Sequence, residues 1–398
     1  MWSAIVIVMA ILVLHLGNGS LLAQTGVEWR WLGSLHMLDA QTGWAVSTEG
    51  GGGAFSRGAV GSVVRTTDGG FHWRNVTPHA PPGQRLSTQG VGMVRALTPL
   101  SAWLVASLSP LTPDERQSSP ALFQTIDGGQ TWINVPISGF GLMDFINARE
   151  GWLISGNEVR HSTDGGRNWI KAGSPEFNCR TRNTTQTVTF PNATTGWITG
   201  FCEHWEPEVS EPSRTYHLVS RDGGTNWQQQ KLSLPSSLTR AAGVLHFYLP
   251  LPPVFPHGDY PHHRLRFFTA KDAILPVAYG SSTDAGVLFY VTHDGGTTWT
   301  YTTPVALPDP DRCCLGLSFA DASHGWVTDG QVLYVTGDGG REWMKIQPSL
   351  PERPLVELNF TSPQVGWATG ELMMKPFLLR SLDGGRTWTS IPYVIVRQ

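Results

Sequence analysis

Short apolar runs broken by small polar clusters recur along this chain in a fixed order. An apolar strand ends in a small polar turn, and Gly-Trp then opens a second run of apolar and small residues. The pattern occurs at Leu38 to Ser47 (LDAQTGWAVS), Leu97 to Ser107 (LTPLSAWLVAS), Phe145 to Gly156, Phe190 to Gly200, Phe319 to Gly330 and Phe360 to Gly370. A seventh copy, Phe268 to Gly280 (FTAKDAILPVAYG), has lost the Gly-Trp. After each comes an eight-residue phrase: Ser or Thr, any residue, Asp-Gly-Gly, two residues and Trp. Its copies place aspartates at Asp68, Asp127, Asp164, Asp222, Asp294, Asp338 and Asp383 and tryptophans at Trp73, Trp132, Trp169, Trp227, Trp299, Trp343 and Trp388. The carboxylate can accept backbone N–H bonds further along the turn, and each Gly allows positive φ without steric cost. With β-formers on both sides, the phrase predicts a hairpin turn with its Trp opening the outgoing strand. Each unit then holds four antiparallel strands, and seven units predict an all-β, seven-bladed β-propeller.

The spacing of the turns predicts where the ring is decorated. Successive turn aspartates lie 59, 37, 58, 72, 44 and 45 residues apart. The shortest interval holds four short strands and little else, so the surplus elsewhere is loop. It falls between second and third strands (Thr48 to Gly61, Leu108 to Pro120, Phe201 to Thr215) or between units (Pro78 to Gly92, Gln228 to His263). In an up-and-down blade both loop classes emerge on one face, opposite the Asp-Gly-Gly turns. An open ring would expose a strand edge. Val27 to Leu32 reads as a fourth strand without its own turn phrase, and Thr389 to Val396 supplies another strand. The two termini are therefore expected to pair in or near one blade and lock the ring.

Composition narrows the picture. The 398 residues carry 15% charged side chains and a net charge of −3, with 45 Gly and 28 Pro, as in a turn-rich globule. That balance gives no electrostatic case for nucleic acid. Small basic groups, Arg180 with Arg182 and Arg264 with Arg266, read as solvated loop faces. Trp2 to Leu16 is apolar except for Ser3 and His15, is followed by Gly17 to Ser20, and offers a small residue for cleavage near Ala23 or Gln24. Residues 1–24 thus read as a signal peptide, with an uncleaved N-terminal anchor as the alternative, and residues 25–398 as the propeller. The run is shorter than the about 20 residues of a membrane-spanning helix. Export makes Cys179, Cys202, Cys313 and Cys314 candidates for disulfides. Cys179 with Cys202 is the expected pair because each flanks the same two predicted strands. Cys313 and Cys314, being neighbours, require a strained vicinal bond or separate partners, and buried thiols remain the other reading.

The phrase S/T-x-D-G-G-x-x-W resembles the Asp-box, or BNR repeat, of sialidases, sortilin-type receptors, xyloglucan-cleaving glucanases and the photosystem II assembly and stability factor propellers. Its alternation with the Gly-Trp strand looks most like the last group and its bacterial relatives. The resemblance covers nearly all of residues 25–398 and implies structural, non-catalytic boxes. With the leader read above, the chain is expected to be an exported propeller, extracellular, periplasmic or on the outer face of a membrane. Such a scaffold would bind a protein or peptide, for instance a membrane-protein complex, through the long-loop face. The chain is expected to act as a monomer and without a cofactor.

Two other functions are weighed beside it. Sialidases carry an Arg-Ile-Pro signature near the start, where this chain has Trp29-Arg30-Trp31-Leu32. A glycoside hydrolase, xyloglucanase- or sialidase-like, would need two carboxylates across a cleft. Asp144, Glu203, Glu206, Asp259, Asp284 and Asp311 are available, none in a distinctive motif. A lectin-like glycan-binding propeller would use exposed aromatics such as Trp205 and Tyr260. His257, Asp259, His262 and His263 have metal-ligand spacing, although their proline-rich setting reads as a rigid surface loop. Asn75, Asn183, Asn192 and Asn359 begin glycosylation sequons.

Overall fold

The computed structural model describes residues 30–48, 61–87, 93–111, 119–137, 141–176, 184–202, 214–233, 235, 246–248, 264–280, 285–307, 316–352, 354–372 and 375–396. These form seven sheets, each built on four antiparallel strands, and no helix. Blade 1 contains Trp31–Met37, Gly43–Thr48, Gly61–Thr66 and His72–Asn75; blade 2 contains Met93–Ala96, Ala102–Pro110, Ser119–Thr125 and Ile133–Pro136. Blade 3 contains Leu142–Phe145, Gly151–Ser155, Glu158–Ser162 and Ile170–Gly173; blade 4 contains Thr184–Thr189, Gly196–Cys202, Arg214–Ser220 and Gln228–Gln229. Blade 5 contains Arg266–Phe267, Ala273–Gly280, Ala285–Thr292 and Thr300–Tyr301; blade 6 contains Gly316–Phe319, Gly325–Thr328, Leu333–Thr336 and Met344–Ile346. Blade 7 contains Leu355–Phe360, Gly366–Leu372, Lys375–Ser381 and Thr389–Ser390. The chain is a seven-bladed β-propeller.

The Gly-Trp motif has a packing explanation. In blade 3 the first strand ends at Phe145, which pairs with Gly151 on the second strand. A Cβ at Gly151 would lie 2.3 Å from the Phe145 ring, and Gly196, Gly325 and Gly366 meet Phe190, Phe319 and Phe360 at 2.2 to 2.4 Å in the same way. The glycine leaves room for the ring to lie flat over the neighbouring strand. Its other face then meets the Trp of the preceding blade: Trp103 stacks on Phe145 at 3.9 Å, Trp152 on Phe190 at 3.8 Å and Trp326 on Phe360 at 3.7 Å, with interplanar angles of 10° or less. Where the strand end is small the rule relaxes. Blade 2 pairs Ala96 with Ala102, so a methyl group fits. In blade 5 Phe267 opposes Ala273 and its ring tilts 35° against Trp197.

The Asp-Gly-Gly turns are alike in every blade. The Ser or Thr hydroxyl donates to the aspartate Oδ1 at 2.8 to 2.9 Å and accepts the N–H of the second Gly. All fourteen box glycines have φ between 73° and 100°, which Gly alone adopts at no cost. The first Gly N–H donates, at 2.6 to 2.9 Å, to a carbonyl of the turn that precedes the second strand: Gln41, Leu100, Arg149, Thr194, Lys271, Ser323 and Gln364. Both turn classes therefore share one face, as the spacing predicts.

Blades 2 and 5 depart from the common plan. The stretches Pro78 to Gly92 and Gln228 to His263, expected as loops, contain strands Gln84–Ser87 and His246–Tyr248. Each adds to the far end of an unusually long second strand, Gln84–Ser87 on residues 107–110 and His246–Tyr248 on residues 278–280. The inner edge of these two blades is thus made of two strand pieces rather than one.

Closure also differs in detail from expectation. Residues 30–32 do not form a fourth strand but lead into the innermost strand of blade 1; residues 27–29 lie outside the described residues. After the last strand of blade 7 the chain crosses over, and Val394–Val396 pairs in parallel with His72–Asn75, making a fifth, outermost strand on blade 1. Ile391 and Tyr393 are buried with Leu32, Leu35 and Trp367, and the Tyr393 hydroxyl donates to the Arg30 carbonyl. Both ends of the described chain thus meet in one blade, at opposite edges of its sheet. The leader expected at residues 1–24 lies outside the described residues. Among the described residues no helix is long and apolar enough to cross a membrane.

Deleting residues 391–398 removes Ile391 and Tyr393 from the core, a loss of about 4 kcal/mol in apolar burial. A thermal melt should show a marked drop, and an unchanged midpoint would refute the clasp. Gly151→Ala forces Phe145 off its stack and should cost about 1–3 kcal/mol in urea unfolding, whereas Ala102→Gly at the equivalent place in blade 2 should cost less than about 1 kcal/mol.

Candidate functional site

The inner strands line a channel, and their sequence places one polar side chain immediately before each strand-end residue: His36, Arg95, Asp144, Thr189, Arg266, Ser318 and Asn359. In six blades this side chain reaches the next blade. Arg95 pairs with Asp144 at 2.8 Å, and Asp144 accepts the Phe190 N–H at 2.9 Å. Thr189 donates to the Leu265 carbonyl at 3.4 Å, and Arg266 to the Phe319 carbonyl at 2.6 Å. Ser318 accepts from the Phe360 N–H at 2.9 Å, and Asn359 from the Met37 N–H at 2.7 Å. The polar ring therefore doubles as a belt joining blade to blade. Beside Asn359 in blade 7, Glu357 accepts the N–H groups of Ser34 and Leu35 at 3.1 and 3.0 Å. Those residues sit where the first strand of blade 1 shifts register, and Ser34 has a φ of 51°. Burial raises the Glu357 carboxyl to about 7, despite these two bonds.

A cavity of about 500 Å³ occupies the box-face end of this channel. His36, Arg95, Asp144, Arg264 and Arg266 contribute its ionisable groups, and Leu38, Leu97, Pro191 and Phe268 are among its apolar lining. Arg264 is 5% exposed, so the expectation that Arg264 and Arg266 form a solvated loop face is corrected: they line the channel. Burial, followed by repulsion from Arg95, pulls Arg264 down to about 9 and Arg266 to about 10, with Asp144 and Asp321 respectively opposing the shift. Burial and the charges of Arg95 and Arg266 hold His36 down to about 3, so it is neutral at physiological pH.

The box aspartates are occupied by their own turns. Desolvation is the largest single influence on Asp127 and pushes it up, but the bonds from the Thr131 side chain and N–H and from Thr125 together outweigh it and hold the carboxyl down to about 2; on Asp294 the Thr298 side chain and N–H come first and, against desolvation, hold it down to about 2. Asp68, Asp164, Asp222, Asp338 and Asp383 are also lowered. The box tryptophans bury their rings to differing depths. Trp73, Trp227 and Trp388 return their N–H to the second Gly carbonyl of their own turn, Trp132 donates to Val76 and Trp299 to Gln230. The indole nitrogens of Trp169 and Trp343 have no hydrogen-bond partner among the described residues. Asp144 is the sequence candidate that the structure brings into the cavity wall, where Arg95 and Phe190 occupy its oxygens.

Glu203, Glu206, Asp259, Asp284, Asp311, Trp205, Tyr260, His257, His262 and His263 lie outside the described residues, as do Cys179, Cys313 and Cys314. The Cys202 backbone pairs with Thr184 and Arg214. Among the described residues no three metal-ligating side chains cluster. Asn359, which opens a sequon, is 3% exposed and bonded to Met37, so it cannot carry a glycan in the folded ring. Sequence reasoning passed over His36, Arg95 and Glu357. The signal that could have found His36 and Arg95 is the recurrence of one polar residue just before each strand-end residue, in strands otherwise built for burial; Glu357, two residues before Asn359, falls outside that pattern.

The fold and its polar channel define the class, a seven-bladed propeller with an axial site. No family model matches the chain, and no curated protein matches it by sequence. Among solved structures it is similar to YCF48 from Cyanidioschyzon merolae, with 16% identity, a TM-score of 0.50, and coverage of 89% of this chain and 96% of that one. It is also similar to a polysaccharide lyase of family PL25, an ulvan lyase, with 9% identity, a TM-score of 0.54 and coverage of 92% and 97%. A structure of YCF48 bound to D1 peptide aligns at 17% identity and a TM-score of 0.49, over 90% of this chain and 94% of that one. At these identities the likeness is one of fold.

A raised folded-state carboxyl carries a definite sign. Between pH 4.5 and about 7 the folded state holds a proton that the unfolded state has released, so the Glu357 contribution is full below 4.5 and is lost as pH rises through 7. Glu357→Gln should remove this decline. Measured by urea unfolding, the stability of the variant relative to wild type should rise from pH 5 to pH 8, and parallel profiles would contradict the assignment.

Proposed function

We propose that this protein is an exported, non-catalytic propeller scaffold that binds a protein or peptide partner through the face opposite the Asp-Gly-Gly turns. One observation carries the reading. The seven box turns repeat one hydrogen-bond pattern, whereas blades 2 and 5 break the ring's symmetry by extending Ala102–Pro110 and Ala273–Gly280 and adding Gln84–Ser87 and His246–Tyr248 to them. Recognition requires asymmetry on a rigid support, and loops or added strands supply it on folds of this kind. The apolar Trp2 to Leu16 run supports export, which would put the partner outside the cell, in a periplasm, or on a complex at the outer surface of a membrane.

A glycoside hydrolase would need a second carboxylate facing Asp144 across the cavity. Asp144 is the one carboxylate among the described lining residues, and it is engaged by Arg95. The lectin-like alternative rests on Trp205 and Tyr260 and keeps its place as an outcome of the test.

The test uses the whole chain and a variant with residues 84–92 replaced by a Gly-Ser linker. Affinity capture from the envelope fraction of the source cells, read by mass spectrometry, should recover a protein partner with the wild type. The variant should lose that partner while still melting cooperatively. Equal capture by both would contradict the assigned face, sugar release from a polysaccharide panel would overturn the scaffold reading, and glycan-array binding without release would favour the lectin-like one.

A further inference from the structure

Blade 4 carries an imidazole where the other six blades carry hydrocarbon. Three residues before the Ser or Thr of each box, the third strands of those six blades place Val63, Leu122, Val159, Phe289, Leu333 and Leu378, all buried. In blade 4 the position is His217, 3% exposed. Its row across the sheet is polar too: His217 pairs with Thr199 and Thr199 with Thr187, and those two hydroxyls are joined at 2.7 Å. Neither imidazole nitrogen has a hydrogen-bond partner among the described residues. Leu or Val would serve packing alone, so His217 carries a desolvation cost that its six counterparts avoid. Trp299 of blade 5 packs on the ring, nearly perpendicular to it at 5.6 Å between centroids. The segment after the outer strand of blade 4 holds that Trp in place. Gln230 donates its N–H to the His217 carbonyl and its side chain to the Gly296 carbonyl, both at 2.8 Å, and accepts the Trp299 indole N–H at 3.2 Å. Ser233 accepts the Tyr290 hydroxyl at 3.1 Å.

We propose that His217 is an acid-sensitive switch whose protonation releases Trp299 and residues 230–233 from the junction of blades 4 and 5. The described groups around it offer no counter-charge. Thr187, Thr199, Gln230 and Trp299 are neutral, and the Tyr290 phenol is pushed up to about 13 by burial and then by Tyr301. Arg221 lies on the Gly295 and Gly296 carbonyls at 3.4 Å, and Lys231 is exposed. Burial holds His217 down to about 3 in the closed junction. A charged imidazole needs water, and the outermost segment is the cheapest to open, since the strand before it is only the exposed pair Gln228–Gln229. Once released, the ring takes up its proton at the ordinary 6.5. Closure is therefore favoured fully above 6.5 and loses ground as pH falls toward 3. Any effect on a partner rests on the long-loop face proposed above, whereas the switch does not and is tested without a partner.

The test is hydrogen exchange of the full chain at pH 8 and pH 5, corrected for the intrinsic pH dependence of exchange. The amides of Val76, Gln230, Thr302 and Ile391 donate to equivalent third-strand carbonyls, each at 2.8 Å, and form a matched set. With proton affinities of 6.5 open and about 3 closed, the opening constant at Gln230 should rise about 30-fold from pH 8 to pH 5. The other three should rise far less. In His217→Phe, which gives blade 4 the side chain that blade 5 has at this position, the rise at Gln230 should vanish. The comparison among the four amides is made within the wild-type protein, so it decides the matter even where the variant does not fold. An unchanged constant at Gln230, an equal rise at all four amides, or a rise that persists in folded His217→Phe would overturn the proposal.

Discussion

Three of the blade junctions in this propeller are built on one repeated contact. A strand-end Phe lies flat over a glycine of its own blade and stacks on the buried Trp of the blade before. These three tryptophans, and Trp367 as well, donate the indole N–H to the first Gly carbonyl of the following box: Trp103 to Gly165, Trp152 to Gly223, Trp326 to Gly384 and Trp367 to Gly69, at 2.9 to 3.0 Å. Stacking supplies apolar burial, and the directed N–H bond fixes angle and register. Blade 4 shows the substitute arrangement, in which Gln230 donates to the Gly296 carbonyl at 2.8 Å and Arg221 lies over the Trp197 ring.

A ring built from such contacts has to join its last member to its first. Here the junction is made at every radius. Near the axis, Glu357 and Asn359 hold the backbone of Ser34, Leu35 and Met37. In mid-blade Trp367 reaches the box of blade 1. At the rim Val394–Val396 extends the blade 1 sheet. A buried carboxyl at the innermost junction carries a desolvation cost, which raises its affinity for a proton and ties closure to pH.

Much of this was legible in the amino-acid order. The boxes and Gly-Trp strands gave the blade count and the shared face of the two turn classes, because turn chemistry is local. What pairs across the ring was less legible. Residues 30–32 read as an outer strand because alternating Trp and Arg looks the same on either edge of a blade, and only closure places them innermost. Gln84–Ser87 and His246–Tyr248 were hidden since strands this short, lying in Pro-rich stretches, carry little periodicity. Arg264 and Arg266 read as solvated because charge usually is. Their burial follows from a channel whose wall is assembled from five blades, which no single stretch of sequence displays. Asp144 was found as a carboxylate, but its engagement by Arg95 and Phe190 depends on blades 2 and 4.

Contacts between blades at the axis, in mid-blade and at the rim make the propeller one cooperative unit rather than seven stacked modules, a rigid ring that supports its asymmetric features. Native-state hydrogen exchange tests that most directly. The box amides of Gly69, Gly128, Gly165, Gly223, Gly295, Gly339 and Gly384 each donate to a neighbouring turn in the same way, so they form a matched set of reporters, one per blade. If the blades are bound into a single unit, all seven should exchange only through global unfolding, with the same free energy and the same dependence on denaturant. Exchange that proceeds blade by blade, with separate free energies and shallow denaturant dependence, would contradict it.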